Sequence, residues 1–302
     1  MSDHCCRNKN RLPEWFRQEI PDPDRLQKMR GLLKDTGLKT VCEGAHCPNM
    51  GACWEKGAAT FLILGENCSR QCRFCAVTHG IPSEIDFDEP LQVADAVSQL
   101  GLRYVVITSV TRDDLPDGGA GQFARTVRAV KELSSGVQVE VLIPDFLGAE
   151  DLIRVIADSD ADVIGHNLET VRRLASAMRS GADYDRSLGV LRAARRLNRK
   201  AFIKSGLMVG LGESKEEVLV ALQDLKDAGC DIVTIGQYLA PSKEERHAPV
   251  DRFVTPEEFS FYKVEGLQVG FKFVHAGPLV RSSYLAEEGF QCCKSAEGAL
   301  AG

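Results

Sequence analysis

Six short apolar runs set the tightest limit on how this chain can fold. They are FLIL (61–64), YVVITSV (104–110), VQVEVLI (137–143), ADVIGHN (161–167), AFIKSGLMV (201–209) and DIVTIGQYL (231–239). Most are rich in β-branched residues, and amphipathic stretches lie between them. One stretch, EPLQVADAVSQLG, has Pro in its first turn and Gly just past its end, as a helix does. Another, SKEEVLVALQDLKDAG, opens on Ser-x-x-Glu, which caps the free N–H groups of a first turn. GQFARTVRAVKELSS and ETVRRLASAMRSG read the same way. Strands that alternate with helices of this length lie parallel in one sheet. The expected fold is α/β, a partial (β/α)6 barrel of TIM type, with a seventh apolar run, FKFVHAG, behind it. Residues 1–56 are expected to form an extension carrying a cysteine triplet, 57–276 the barrel, and 277–302 a C-terminal segment ending in a mobile tail.

In such barrels the reactive end is where the C-terminal ends of the strands open. CSRQCRFC sets Cys68, Cys72 and Cys75 directly after the first strand, and CEGAHCPNMGAC sets Cys42, Cys47 and Cys53 just upstream. What these thiols do depends on their surroundings. No apolar run approaches the ~20 residues that span a bilayer, and the N-terminal MSDHCCRNKNRLPEW lacks the apolar stretch of a signal peptide. A cytoplasmic protein with no membrane partner is expected, and there thiols stay reduced. A net charge of −6 gives no bulk case for nucleic-acid binding. The thiols are therefore read as metal ligands rather than disulfides. Zinc sites gather four ligands, commonly from paired CxxC elements, whereas here three cysteines stand together twice. Iron–sulfur clusters take thiolates too, and one held by only three keeps an iron free for another ligand. Spacing favours iron–sulfur and leaves zinc open.

Cx3Cx2C with an aromatic before its last cysteine, behind the first strand of such a barrel, resembles the radical S-adenosylmethionine (SAM) superfamily. The upstream Cx4Cx5C, TSVTRDDLPDGGA, HNLETV, KSGLMVGLGE, TIGQYLAPS and the terminal GPLVRSSY narrow the resemblance to the lipoyl synthases, over about Pro13 to Ala286. It implies two 4Fe-4S clusters. One on Cys68, Cys72 and Cys75 would chelate SAM and generate a 5′-deoxyadenosyl radical. The other, on Cys42, Cys47 and Cys53 with a serine of RSSY as fourth ligand, would be consumed as the sulfur source. The implied activity is that of a sulfurtransferase inserting sulfur at C6 and C8 of an octanoyl-lysine. The implied partners are octanoylated lipoyl carrier domains (2-oxoacid dehydrogenase E2 subunits, glycine cleavage H protein), an electron donor such as ferredoxin or flavodoxin, and an iron–sulfur carrier protein. Ser283 is assigned as the ligand, Ser282 as its support and Arg281 as a charge near the cluster or the substrate path.

Other residues carry a functional and a plain reading side by side. Gly118 and Gly119 of PDGGA stand where the superfamily has Gly-Gly-Glu near the methionine amino group, but Ala120 replaces the acid, leaving backbone contacts only. Asn167 and Glu169 are expected ribose or methionine contacts, although Glu169 also suits a helix first turn. Gly210, within GLMVGLGE, is expected near the adenine, or in an ordinary strand–turn junction. Lys204, inside an apolar run, needs a partner, either a SAM carboxylate or a nearby acid. Residues 171–204 hold ten basic residues against Asp183 and Asp185, a docking face for an acidic carrier or a set of solvated helix faces. Cys230 reads as a core residue, and Cys5, Cys6, Cys292 and Cys293 as exposed tail thiols. The competing functions are a different sulfur-inserting radical enzyme, such as a biotin synthase or methylthiotransferase, an electron carrier, and a zinc-stapled binding protein.

Overall fold

Branched β-carbons pack well on a pleated surface and poorly in a helix, and each of the six runs overlaps a strand. The structure, a computed structural model, describes residues 12–17, 27, 31, 37–44, 47, 49–56 and 58–301. Cys5 and Cys6, expected as exposed tail thiols, lie outside the described residues. Among the described residues, eight strands follow one another across a single sheet in chain order. The first, β1 (Lys39–Thr40), pairs antiparallel with β2 (Ala58–Ile63). The next six are β3 (Tyr104–Ser109), β4 (Gln138–Leu142), β5 (Val163–Gly165), β6 (Phe202–Val209), β7 (Ile232–Gln237) and β8 (Phe273–Gly277). All of them continue parallel from β2. Because β1 and β8 are not paired, the sheet stays open, a partial barrel. The six expected units are extended by β8, built from FKFVHAG, and by an edge strand from the N-terminal extension.

Helices α1 (Val41–Gly44) and α2 (Met50–Glu55) precede β2, and the crossovers are α3 (Glu89–Leu100), α4 (Ala120–Leu133), α5 (Glu150–Ala157), α6 (Arg172–Met178), α7 (Tyr184–Leu197), α8 (Lys215–Asp227) and α9 (Pro256–Val269). The punctuation acts as the sequence indicates. Gly101 ends α3 in the left-handed region at φ 61°, and Ser214 with Glu217 closes a full capping box on α8. Between sheet and helices the core is filled by Val, Ile, Leu and Phe with almost no exposure.

The C-terminal segment departs from the expected mobile tail. It forms α10 (Ala286–Ala301), and Ala286, Phe290 and Cys293 pack against Tyr104, Val106, Val163, Phe202 and Ile232. Tyr104, Val163, Phe202 and Ile232 open their strands and Val106 stands two residues into its own, so α10 plugs the N-terminal end of the barrel. Its spacing of four and three residues puts the three side chains on one stripe. Cys293 is therefore fully buried while its neighbour Cys292 is exposed. Cys230 is a core residue, as expected.

Just above this plug lies a buried ion pair. Lys204 Nζ on β6 donates to both oxygens of Glu140 on β4 at 2.7 and 2.9 Å, and Tyr104 O–H donates to the same carboxylate at 2.7 Å. Removing one partner of such a pair strands the other charge without water. Glu140→Gln is thus expected to lower the urea-unfolding free energy by about 3–5 kcal/mol, with much of it recovered on adding Lys204→Met.

Candidate functional site

Leu64 and Gly65 take positive φ (68° and 92°) at the end of β2, which turns the chain into the loop bearing Cys68, Cys72 and Cys75. All three line a cavity of about 320 Å³ at the C-terminal mouth of the strands, the low end of the range for small-molecule sites. Its floor includes Leu62, Thr108, Leu142, Gly206, Thr234 and Gly236. Cys68 Sγ accepts backbone N–H bonds from Arg70 (3.4 Å) and Thr111 (3.3 Å). Burial pushes the Cys75 thiol up to about 11 and raises that of Cys72, where the Arg179 guanidinium opposes it. Buried thiols of this kind bind metal by exchanging the proton for the cation.

The upstream triplet is gathered within a short stretch of chain. Cys42 lies on α1, Cys53 on α2, and Cys47 between them donates its N–H to Cys42 O at 2.9 Å. The three line a second cavity of about 20 Å³ with Thr60, Tyr104, Arg281 and Ser283. Burial lifts Cys42 to about 11 and Cys53 to about 12, reinforced in each case by neighbouring thiols of the triplet. Among the described residues, no group of three His, Cys, Asp or Glu is arranged to hold a single metal ion. Each thiolate of a cubane binds a different iron, so a cluster does not require that convergence. In their chemistry the two all-cysteine donor sets fit such clusters.

The RSSY segment reaches both cavities. Asn49 Nδ2 donates to Leu279 O at 2.5 Å, tying the N-terminal extension to it. A β-carbon at Gly236 would run into Val280 O, so only glycine there lets this segment lie on β7. Ser282 lines the main cavity, Ser283 the smaller one and Arg281 both. The half-buried Arg281 guanidinium donates to Gln237 O (3.2 Å) and Val280 O (2.9 Å). Among the described residues it has no carboxylate partner. Burial lowers its pKa, and the nearby Cys47 works against that shift.

The other expected contacts divide. Asn167 and Glu169 line the main cavity, and Asn167 Nδ2 donates to Glu169 Oε1 at 3.2 Å. Glu169 sits at φ 70°, unusual for a side chain of its size. It is held there by Glu169 N–H to Gly206 O (2.9 Å) and Met208 N–H to Glu169 O (2.8 Å). Burial raises its carboxyl pKa, with Arg179 opposing. Gly118, Gly119, Gly210 and Lys204 are not brought to the cavity wall. Gly119 caps α4 at φ 87°, and a β-carbon at Gly118 would stand 2.9 Å from the Phe146 ring. Gly210, at φ 96°, donates to buried Glu213 Oε1 at 2.6 Å in a strand–turn closure. Lys204 takes the acid rather than a ligand, being occupied by Glu140 below the cavity. Sequence reasoning missed Arg70, Asp145 and Arg179 as lining residues. Their signal is no more than charge, in loops that follow strands for Arg70 and Asp145 and at the end of a helix for Arg179.

A model of the Radical SAM superfamily matches residues 62–225. Lipoyl synthase of Caldanaerobacter subterraneus subsp. tengcongensis is 52% identical over 94% of this chain and 99% of its own. That of Pyrobaculum calidifontis is 53% identical over 92% and 96%. Among solved structures, Streptococcus suis SuiB bound to S-adenosylmethionine superposes with a TM-score of 0.56 at 11% identity, covering 76% of this chain and 53% of that one. This is a likeness of fold. No helix among the described residues is long and apolar enough to cross a membrane. With two cysteine triplets opening on adjoining cavities and relatives of this similarity along nearly its whole length, the chain belongs to the lipoyl synthase family of the radical SAM superfamily.

Proposed function

We propose that the chain inserts two sulfur atoms at C6 and C8 of a protein-bound octanoyl-lysine, with Cys68, Cys72 and Cys75 holding a SAM-binding 4Fe-4S cluster and Cys42, Cys47, Cys53 and Ser283 holding an auxiliary, sulfur-donating one. The observation that carries this reading is the shared wall. Arg281 borders both cavities, and the neighbouring serines divide between them, so a chain in the main cavity lies next to the second donor set. When bound, the cluster and SAM supply hydrogen abstraction from an unactivated carbon, which no side chain here can perform.

The protein's own work is placement and exclusion of water. Leu62, Val110, Leu142, Leu207, Met208 and Val280 make most of the main cavity apolar, as a hydrocarbon substrate requires. Asn167 and Glu169, fixed to one another, offer polar contacts for the cofactor. Arg281, the cation at the boundary, offsets negative charge carried by four anionic ligands. The segment before β2 and the segment after β8 thus act as attachments to a 57–276 barrel, completing the second site. Anaerobic reaction with SAM, a reductant and an octanoyl-lysine peptide is expected to give a peptide that has gained two sulfurs as a dithiol, two hydrogens lighter once oxidised to the dithiolane. Mass spectrometry reads the result, and unchanged peptide beside SAM cleavage would sink the proposal.

The expected partners are octanoylated carrier domains, an electron donor and an iron–sulfur carrier. The basic stretch at 171–204 is a poor docking face for the first of these. Arg172 pairs with Asp185, Arg173 with Glu217, Arg186 with Asp145, Arg195 with Asp231, Arg196 with Glu150 and Lys204 with Glu140. Arg179 is buried against Ser187. Paired charges steer weakly. Turnover of a whole carrier domain is therefore expected to fall with added salt no more steeply than turnover of the short peptide.

A further inference from the structure

The loop of Cys68, Cys72 and Cys75 is gripped by an ion network centred on Arg70, which stands inside the Cys68–Cys72 interval. Its side chain is 7% exposed. Arg70 Nε and Nη2 donate to the two oxygens of Asp113 at 2.6 and 2.8 Å, and Nη2 also to Asp145 Oδ1 at 2.8 Å. Asp145 is wholly buried and takes a second guanidinium, Arg186, at 2.9 Å. The two arginines and two aspartates sum to zero charge. Asp113 belongs to the loop after β3 and Asp145 to the loop after β4, so one side chain binds the cysteine loop to both its neighbours. Ser69 finishes the join. Its N–H and Oγ both bond Thr111 O at 3.0 Å, and its Oγ accepts Asp113 N–H at 3.2 Å.

This grip fixes what faces Cys68. Its two N–H donors, from Arg70 and Thr111, come from two of the three loops that the network joins. Donors aimed at a cluster sulfur favour the reduced, more negative state and set its potential. We infer that Arg70 is a positioning residue that, through Asp113 and Asp145, holds the Arg70 and Thr111 amides on Cys68 Sγ and so raises the reduction potential of the SAM-binding cluster. The inference rests on the radical SAM reading of that triplet and adds to it a determinant outside the ligands. Lysine cannot replace the fork, because a point charge cannot hold two carboxylates in fixed directions.

The test uses full-length protein in a Cys47→Ala background, so that one cluster of about four irons remains. Arg70→Lys and Asp113→Asn are compared with Arg196→Ala, which breaks a pair outside the network. Iron content, apo-protein melting and the potential by redox titration without SAM are recorded. Arg70→Lys is expected to load fully and be reduced at least tenfold less favourably, a shift of about 59 mV to more negative potential for one electron. Asp113→Asn is expected to shift the same way by less, and Arg196→Ala not at all. Full loading with an unshifted potential in Arg70→Lys overturns the inference. Loss of iron with unchanged apo melting supports a role in holding the loop, whereas iron loss with lowered melting shows a merely structural pair and also overturns it. A parent protein that binds no cluster would instead refute the radical SAM reading itself.

Discussion

Cys72→Ala is expected to abolish formation of 5′-deoxyadenosine, while Cys47→Ala keeps SAM cleavage and loses sulfur insertion. The two thiols belong to different cavities, Cys72 to the main one at the strand mouths and Cys47 to the smaller one against α1, α2 and the RSSY turn. A cluster with two protein ligands leaves a second iron exposed and is unstable, so the first variant should lose the whole electron path to SAM. The second removes the sulfur source and leaves that path intact. Fully loaded protein should carry about eight irons and either variant about four. Anaerobic turnover followed by chromatography of nucleoside and peptide separates the cases. Lipoyl product from Cys47→Ala would show that the sulfur has another origin.

Ser283→Ala is expected to permit SAM cleavage and lose most sulfur insertion, and Ser283→Cys to give a cluster that persists and does not react. Oxygen is a harder donor than thiolate and binds this kind of iron less firmly, which suits an iron that has to leave. The same substitutions at Ser282 are expected to act differently, because Ser282 lines the main cavity and Ser283 the smaller one. Wild-type product yield from Ser283→Ala would remove it from the ligand set. Equal loss from Ser282→Ala alone would transfer the role by one position.

The strands and cysteine groups are legible in the sequence because they depend on short-range signals: β-branched runs, capping residues and ligand spacing. What is not legible depends on contacts across the sheet. Lys204 reads as a cofactor cation because its acid, Glu140, lies 64 positions earlier on a different strand. The ten basic residues of 171–204 read as a patch because partners such as Asp145 and Asp231 are remote in sequence. The tail reads as mobile because the stripe of Ala286, Phe290 and Cys293 is short, and only the strand starts above it give it something to cover. Gly118, Gly119 and Gly210 are matched through a motif, and the backbone uses each for a turn before any ligand enters.

The smaller cavity takes its walls mainly from residues 42–60 near one end of the chain and 281–286 near the other. On the ribosome those parts do not exist together. Cys53 and Ser283 are 230 positions apart, which at roughly 5–20 residues per second is about ten to fifty seconds of synthesis. Throughout that interval the three upstream thiols have no wall of late-made residues over them and are open to oxidants. Completion of this cavity therefore waits on residues 281–286, and a nascent chain that stops short of them has its upstream thiols without the Arg281–Ser283 wall.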